Sequence, residues 1–128
     1  MVTPEARVKN AIDQWIKVNL PGVYVYKPRG GPFGVAGTPD YFICWHGVFI
    51  GIEAKREDTD PRPLQRAALR RIAAAGGIAA VIRGNQLNRL ETIRQEVLKR
   101  VQLGKLQVAS SGGSDSVCSS EDDDGIRP

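Results

Sequence analysis

The stretch that decides the fold is Asp40-Tyr41-Phe42-Ile43-Cys44-Trp45-His46-Gly47-Val48-Phe49-Ile50-Gly51-Ile52-Glu53-Ala54-Lys55, preceded by Gly37-Thr38-Pro39. Two apolar runs, Asp40 to Trp45 and Val48 to Ala54, are separated only by His46-Gly47. So short a connection predicts a hairpin of two strands. Side chains alternate faces along a strand. Glu53 and Lys55 therefore share one face, and Ile52 and Ala54 turn to the other. An otherwise apolar strand that ends in Glu-Ala-Lys implies that this end is polar and used. Asp40 alone would read as a loop aspartate bonding nearby backbone N–H groups after Pro39. Two carboxylates converging beside a lysine can instead hold a divalent metal and act on the water bound to it.

Outward from the hairpin, the chain alternates helix and strand. Thr3-Pro4 is a helix start, a hydroxyl at the N-cap followed by proline at the first helical position. Val8, Ala11, Ile12, Trp15 and Ile16 follow at helical spacing, and the helix should stop near Leu20, before Pro21-Gly22. Val23 to Tyr26 reads as a strand, and Pro28 to Gly37 as a glycine- and proline-rich loop beside the hairpin. Downstream, Pro63 to Ala75 reads as a helix with Leu64, Ala68 and Ile72 on one stripe and Gly76 as its stop. Ile78 to Ile82 reads as a short apolar strand, placed inside the sheet. Asn88-Arg89-Leu90-Glu91 resembles a capping box. Leu90, Ile93, Val97 and Val101 line one face of a last helix ending near Gly104. Trp15 fits the helix core, Trp45 is core or rim, and His46 occupies the turn.

The 128 residues are enough for one domain. No apolar run approaches the ~18 residues needed to span a bilayer. Met1 to Asn19 is charged throughout and lacks the apolar core of a signal peptide. A soluble, cytoplasmic protein without a membrane segment is expected. Cys44 lies in an apolar strand and Cys118 in a polar tail, which reads as a buried thiol and an incidental one. No CxxC or His/Cys cluster suggests structural zinc, and a lone histidine makes a Ser-His-Asp hydrolase hard to build.

Charge is unevenly distributed. Five of the 14 acids but one of the 18 bases lie beyond residue 108, which leaves 17 bases, 9 acids and a net charge of +8 for residues 1–108. A basic body suits a phosphate-backbone binder, although plain solubility also accounts for it. Residues 1–108 form the expected domain. The Ser/Gly/Asp-rich segment 109–128 has little to bury and is expected to be disordered. It is either an acidic shield over the basic body or a solubilising terminus without a role.

Gly37-Thr38-Pro39-Asp40-Tyr41, Gly47 to Arg56 with its Glu53-Ala54-Lys55, Pro63-Leu64-Gln65 and Ala75-Gly76-Gly77 occur in that order. Together, from about Thr3 to Ile82, they resemble the virus-type replication-repair nuclease (VRR-NUC) family of the PD-(D/E)xK nucleases, especially its small stand-alone phage-type members. The resemblance implies an α/β restriction-endonuclease-like core, a mixed sheet flanked by helices in the order α-β-β-β-α-β-α. It also implies a Mg²⁺- or Mn²⁺-dependent DNA endonuclease, structure-specific or nicking, in phage-type replication, repair or recombination. Asp40, Glu53 and the backbone carbonyl of Ala54 would hold the metal, and Lys55 would orient or activate the attacking water and stabilise charge at phosphorus. A plain salt-bridge role for Lys55 stays open. Glu5 and Gln65 join this set through the same resemblance. Their alternatives are a favourable charge at a positive helix end for Glu5 and a first-turn cap for Gln65.

Lys27 and Arg29 beside the glycine-rich loop, Arg56 after the motif, and Arg62, Arg66 and Arg70 at every fourth position are candidate DNA contacts. Each could equally belong to a solvated face. Gly30-Gly31 and Gly34 could admit a phosphate, but no Gly-Lys-Ser/Thr makes a P-loop. The expected substrate is DNA that is nicked, flapped or branched, and the expected assembly a homodimer, because a small nuclease cutting both strands needs two sites. The other readings are a non-cleaving DNA-binding accessory protein on the same fold, and an RNA-directed nuclease.

Overall fold

A computed structural model describes residues 2–29 and 34–111. The elements are α1 (Pro4–Asn19), β1 (Tyr24–Tyr26), β2 (Tyr41–Trp45), β3 (Val48–Lys55), α2 (Pro63–Ala74), β4 (Ile78–Arg83) and α3 (Asn88–Ser111). This is the α-β-β-β-α-β-α order read from the sequence. The chain falls into two units, Met1–Leu98 and Lys99–Pro128. The first holds the sheet, α1, α2 and the opening turns of α3. In the second, residues 99–111 are helical, and the side chains of Leu103 and Leu106 are exposed. Gly30-Gly31, Cys118 and the acidic residues of the tail lie outside the described residues.

The sheet is mixed, with strand order β1-β2-β3-β4. β1–β2 and β2–β3 are antiparallel and β3–β4 is parallel. His46 (φ 52°) and Gly47 (φ 77°) make the β2–β3 turn, the paired positive φ values of a tight hairpin. With β2 on one flank of β3, the α2 crossover returns the chain to the other flank. β4 is therefore an edge strand among the described residues, not the interior strand expected. β3 is paired on both sides.

Alternation along β3 sorts the layers. Ile50, Ile52 and Ala54 are buried on the face that carries α1 and the start of α3. There Ile16, Leu20, Leu90 and Val97 gather against Ile43, Trp45, Ile50 and Ile52. α1 turns Val8, Ile12 and Ile16 inward at the spacing read from the sequence. Trp45 is buried in this core and its Nε1 donates to the Pro21 carbonyl at 2.8 Å. The opposite face presents Gly51, Glu53 and Lys55 to α2. A Cβ on Gly51 would lie 2.5 Å from Ile72 Cδ1, so the missing side chain sets how closely α2 approaches the sheet.

Several expectations need correction. Leu64 is 60% exposed, and the buried residue of α2 is Leu69. Cys44 is exposed, not buried. Its register partners Phe49 and Tyr24 are exposed on the same face, which implies that α2 leaves this end of the sheet uncovered. Asn88 is already within α3, and Glu91 bonds forward to Arg94 (2.9 Å) and Gln95 (2.7 Å) rather than back to a cap. α3 continues through Gly104 to Ser111, so Ala109, Ser110 and Ser111 are helical rather than part of the tail. Among the described residues, no helix is long and apolar enough to cross a membrane.

Candidate active site

Hairpin register brings the acids together. Tyr41 pairs with Ile52, so Asp40, one residue before β2, stands opposite Glu53 on the face that α2 borders. Asp40 Oδ2 accepts the Ala54 N–H at 2.8 Å, which ties the loop before β2 to the end of β3. Gly37, at φ +84°, brings the same loop against α2, where a Cβ would lie 2.7 Å from the Leu64 carbonyl oxygen. Loop, strand and helix are thus locked around one point.

Glu53 is 2% exposed. Its Oε2 accepts a 2.8 Å hydrogen bond from Gln65 Nε2 and lies 3.4 Å from Lys55 Nζ. Its Oε1 is buried with no hydrogen-bond partner. A buried acceptor left unmade is costly. Burial, followed by the negative charge of Asp40, pushes the Glu53 carboxyl up to about 7; Lys55 opposes the shift and Glu5 adds to it. Gln65 fills both roles considered for it, because its Oε1 also accepts the Arg62 N–H at 2.8 Å in the first turn of α2.

Glu5 reaches the site through a residue that the sequence reading missed. Lys9 Nζ lies 3.8 Å from Glu5 Oε2 and 3.4 Å from Asp40 Oδ1. The four-residue spacing from Glu5 was the available signal, but the Asp40 contact is tertiary. Tyr41 holds this part of α1 in place. Its buried Oη lies 2.8 Å from Asp13 Oδ1 and 3.0 Å from the Lys9 carbonyl. Burial and the Asp13 carboxylate raise the Tyr41 phenol strongly, so it stays a donor.

The structure therefore brings Glu5, Asp40, Glu53, Ala54, Lys55 and Gln65 together, with Lys9 among them. Among the described residues, no group of three or more His, Cys, Asp or Glu forms a metal cluster. The hard oxygens of Asp40 and Glu53, with Glu53 Oε1 unsatisfied, fit a Mg²⁺- or Mn²⁺-type ion.

The candidate DNA contacts are all exposed but not equivalent. Lys27 pairs with Asp13 at 3.0 Å, and Arg56 Nε pairs with Asp58 at 2.8 Å. Arg66 Nε donates to the Pro61 carbonyl. Arg29, Arg62 and Arg70 stand on the surface. Arg7 and Arg56 line an open groove of about 540 Å³ whose walls include Pro4 and Gly84. Pro4 and Arg56 adjoin Glu5 and Lys55 in sequence, but Glu5, Asp40, Glu53, Lys55 and Gln65 do not themselves line the groove.

A two-sided mixed sheet with this polar end on its doubly paired strand defines an α/β domain of the restriction-endonuclease-like class. More narrowly, its fold is that of the VRR_NUC domain. One solved structure, described as a VRR_NUC domain, is 25% identical to this chain with a TM-score of 0.57, covering 73% of this chain and 97% of its own. A second, described as a VRR_NUC domain protein, is 23% identical with a TM-score of 0.58, covering 77% and 91%. No protein-family model and no curated protein matches the sequence.

Proposed function

We propose that this protein is a divalent-metal-dependent DNA endonuclease that hydrolyses phosphodiester bonds. The observation that carries this reading is Glu53 Oε1, a buried oxygen without a partner, in a carboxylate set opposite Asp40 and beside Lys55. A purely structural acid would satisfy both oxygens or stay in water. Asp40, Glu53 and the Ala54 backbone would hold Mg²⁺ or Mn²⁺. Such an ion supplies Lewis-acid polarisation of the phosphodiester and of the attacking water.

The chain's own residues supply the rest. Gln65 fixes the Glu53 carboxylate by donating to Oε2. Lys55, almost enclosed, keeps its ammonium beside that carboxylate, where it offsets negative charge developing at phosphorus and orients water. Arg29, Arg62, Arg66 and Arg70, with Arg56 at the groove, offer the positive surface that a DNA backbone requires. Nicked, flapped or branched DNA in phage-type replication, repair or recombination is the proposed substrate class.

A second copy is the proposed partner. Phe49 and Leu64 are exposed at a groove of about 890 Å³ that includes Ala67 and Ala68, and Tyr24 and Tyr26 are exposed farther along the same face of the sheet. Large side chains beside a small-residue groove are self-complementary across a twofold axis. Sedimentation of the wild type against Phe49→Asp tests this, with loss of the dimer expected.

The activity is tested by incubating the protein with supercoiled plasmid and a four-way junction in Mg²⁺, Mn²⁺ or EDTA, beside Lys55→Ala. Metal-dependent cutting absent from the variant is expected. A folded, metal-binding protein that cuts neither DNA would point to the non-cleaving accessory role.

A further inference from the structure

We propose that Lys9 is a resident counter-cation of the carboxylate site: its ammonium bridges Glu5 and Asp40 in the metal-free protein and withdraws when a divalent ion binds. This rests on the metal-dependent reading above.

Two acids from separate segments meet at Lys9. Glu5 comes from the first turn of α1 and Asp40 from the loop before β2, and Lys9 Nζ lies 3.8 and 3.4 Å from their carboxylates. A helix-surface pair between Glu5 and Lys9 alone would be an ordinary feature of little consequence. The Asp40 contact is different in kind. Asp40 Oδ2 is already taken by the Ala54 amide, so Oδ1 is the oxygen left for a ligand, and Lys9 faces it. A hard cation needs that oxygen within ~2.0–2.6 Å. An ammonium held beside it would repel the incoming ion.

The backbone under Lys9 is fixed while its side chain is not. Tyr41, the residue after Asp40, donates to the Lys9 carbonyl from a buried position, which ties α1 at Lys9 to the start of β2. The Lys9 side chain is 41% exposed, against 11% for Lys55, which leaves it room to swing into solvent. The site thus contains one enclosed lysine and one that can move. Only the second lies against an oxygen a metal would take. The carboxylates are therefore kept from repelling one another before the ion arrives, at the expense of its affinity.

The test is Mn²⁺ binding without DNA, read from the electron paramagnetic resonance of the free ion, with thermal unfolding alongside. Wild type is compared with Lys9→Met, Lys9→Gln and Lys9→Arg. We expect the two neutral variants to bind Mn²⁺ roughly tenfold tighter, with a lower metal-free Tm and a larger rise on adding Mn²⁺. Lys9→Arg, which keeps the charge, should bind like wild type. Wild-type binding with equal or weaker binding in both neutral variants would overturn the role of Lys9 and leave the metal reading intact. No Mn²⁺ binding by wild type but binding by the neutral variants would support the proposal. Absence of binding in all of them would overturn the metal reading and this inference together.

Discussion

Gln65 joins two elements that share no strand: its amide nitrogen donates to Glu53 Oε2 and its amide oxygen accepts the Arg62 N–H, each at 2.8 Å. The first turn of α2 is thereby connected directly to the acid at the end of β3. Gln65→Leu should leave DNA binding near wild type by mobility shift and lower the cleavage rate roughly 10–100-fold, as for a residue that orients a ligand. The lost cap should cost about 1 kcal/mol of stability. Unchanged cleavage in a folded Gln65→Leu protein would remove Gln65 from the machinery.

Glu53 carries a pH signature. Its carboxyl is raised to about 7 from 4.5, chiefly by burial. Between these values the folded chain holds more protons at this site than the unfolded one. Stability from this group is therefore present at low pH and lost as pH rises through about 7. Without metal, the Tm of Glu53→Gln relative to wild type should climb between pH 5 and 8. A flat difference would show that the carboxyl is not buried as described.

The same shift predicts how metal and protons compete. An ion held by Glu53 needs the carboxylate, so binding below about pH 7 displaces a proton. Mg²⁺ affinity measured by calorimetry should rise with pH and level off above that value. Buffers of different ionisation enthalpy should report close to one proton released at pH 6. In Glu53→Gln the release should vanish.

Lys55 should separate chemistry from binding. Lys55→Met keeps the aliphatic stem and removes the charge 3.4 Å from Glu53. Cleavage of supercoiled plasmid should fall roughly 10²–10³-fold, the usual cost of losing a transition-state charge partner. Mn²⁺ binding should persist. Loss of Mn²⁺ binding with an intact fold would assign Lys55 to the structure of the site instead.

Gly51 tests the approach of α2. Gly51→Val places atoms where Ile72 Cδ1 already stands and should cost about 1–3 kcal/mol by overpacking. Gly51→Val with Ile72→Ala should recover part of that loss. Chemical denaturation of the four proteins of this cycle measures the coupling.

What could be read from the sequence follows from period-two alternation. Once Asp40 to Trp45 and Val48 to Ala54 were strands joined by His46-Gly47, the shared face of Glu53 and Lys55 followed from geometry. The α1 stripe of Val8, Ile12 and Ile16 followed in the same way from helical spacing. What escaped depends on where elements end against one another. Cys44 is exposed because α2 leaves the hairpin end of the sheet uncovered, whereas Leu64, in the first turn of α2 at the opposite end beside Gly37, is exposed while Leu69 is buried; no local pattern reports how a neighbouring helix is seated. Lys9 escaped because its contact with Asp40 spans two segments. The apolar composition of Ile78 to Ile82 reads as an interior strand, yet an edge strand can bury Ala80 and Ile82 when helices cover its faces. Glu91 found acceptable partners one turn ahead, which made a cap unnecessary.

β3 is hydrogen-bonded to β2 on one flank and to β4 on the other, from Ile50 to Ile52 on both. Amides there should exchange with solvent deuterium only when the whole domain unfolds, whereas those of the three-residue strand β1 should exchange through local opening. Glu53 and Lys55 thus follow directly on the segment that opens last, while Asp40 and Glu5 reach them from the loop before β2 and from α1. Local opening of β1, a strand with only one neighbour among the described residues, then leaves the pairing under Glu53 and Lys55 in place, so the order of opening runs from the rim of the sheet toward the site.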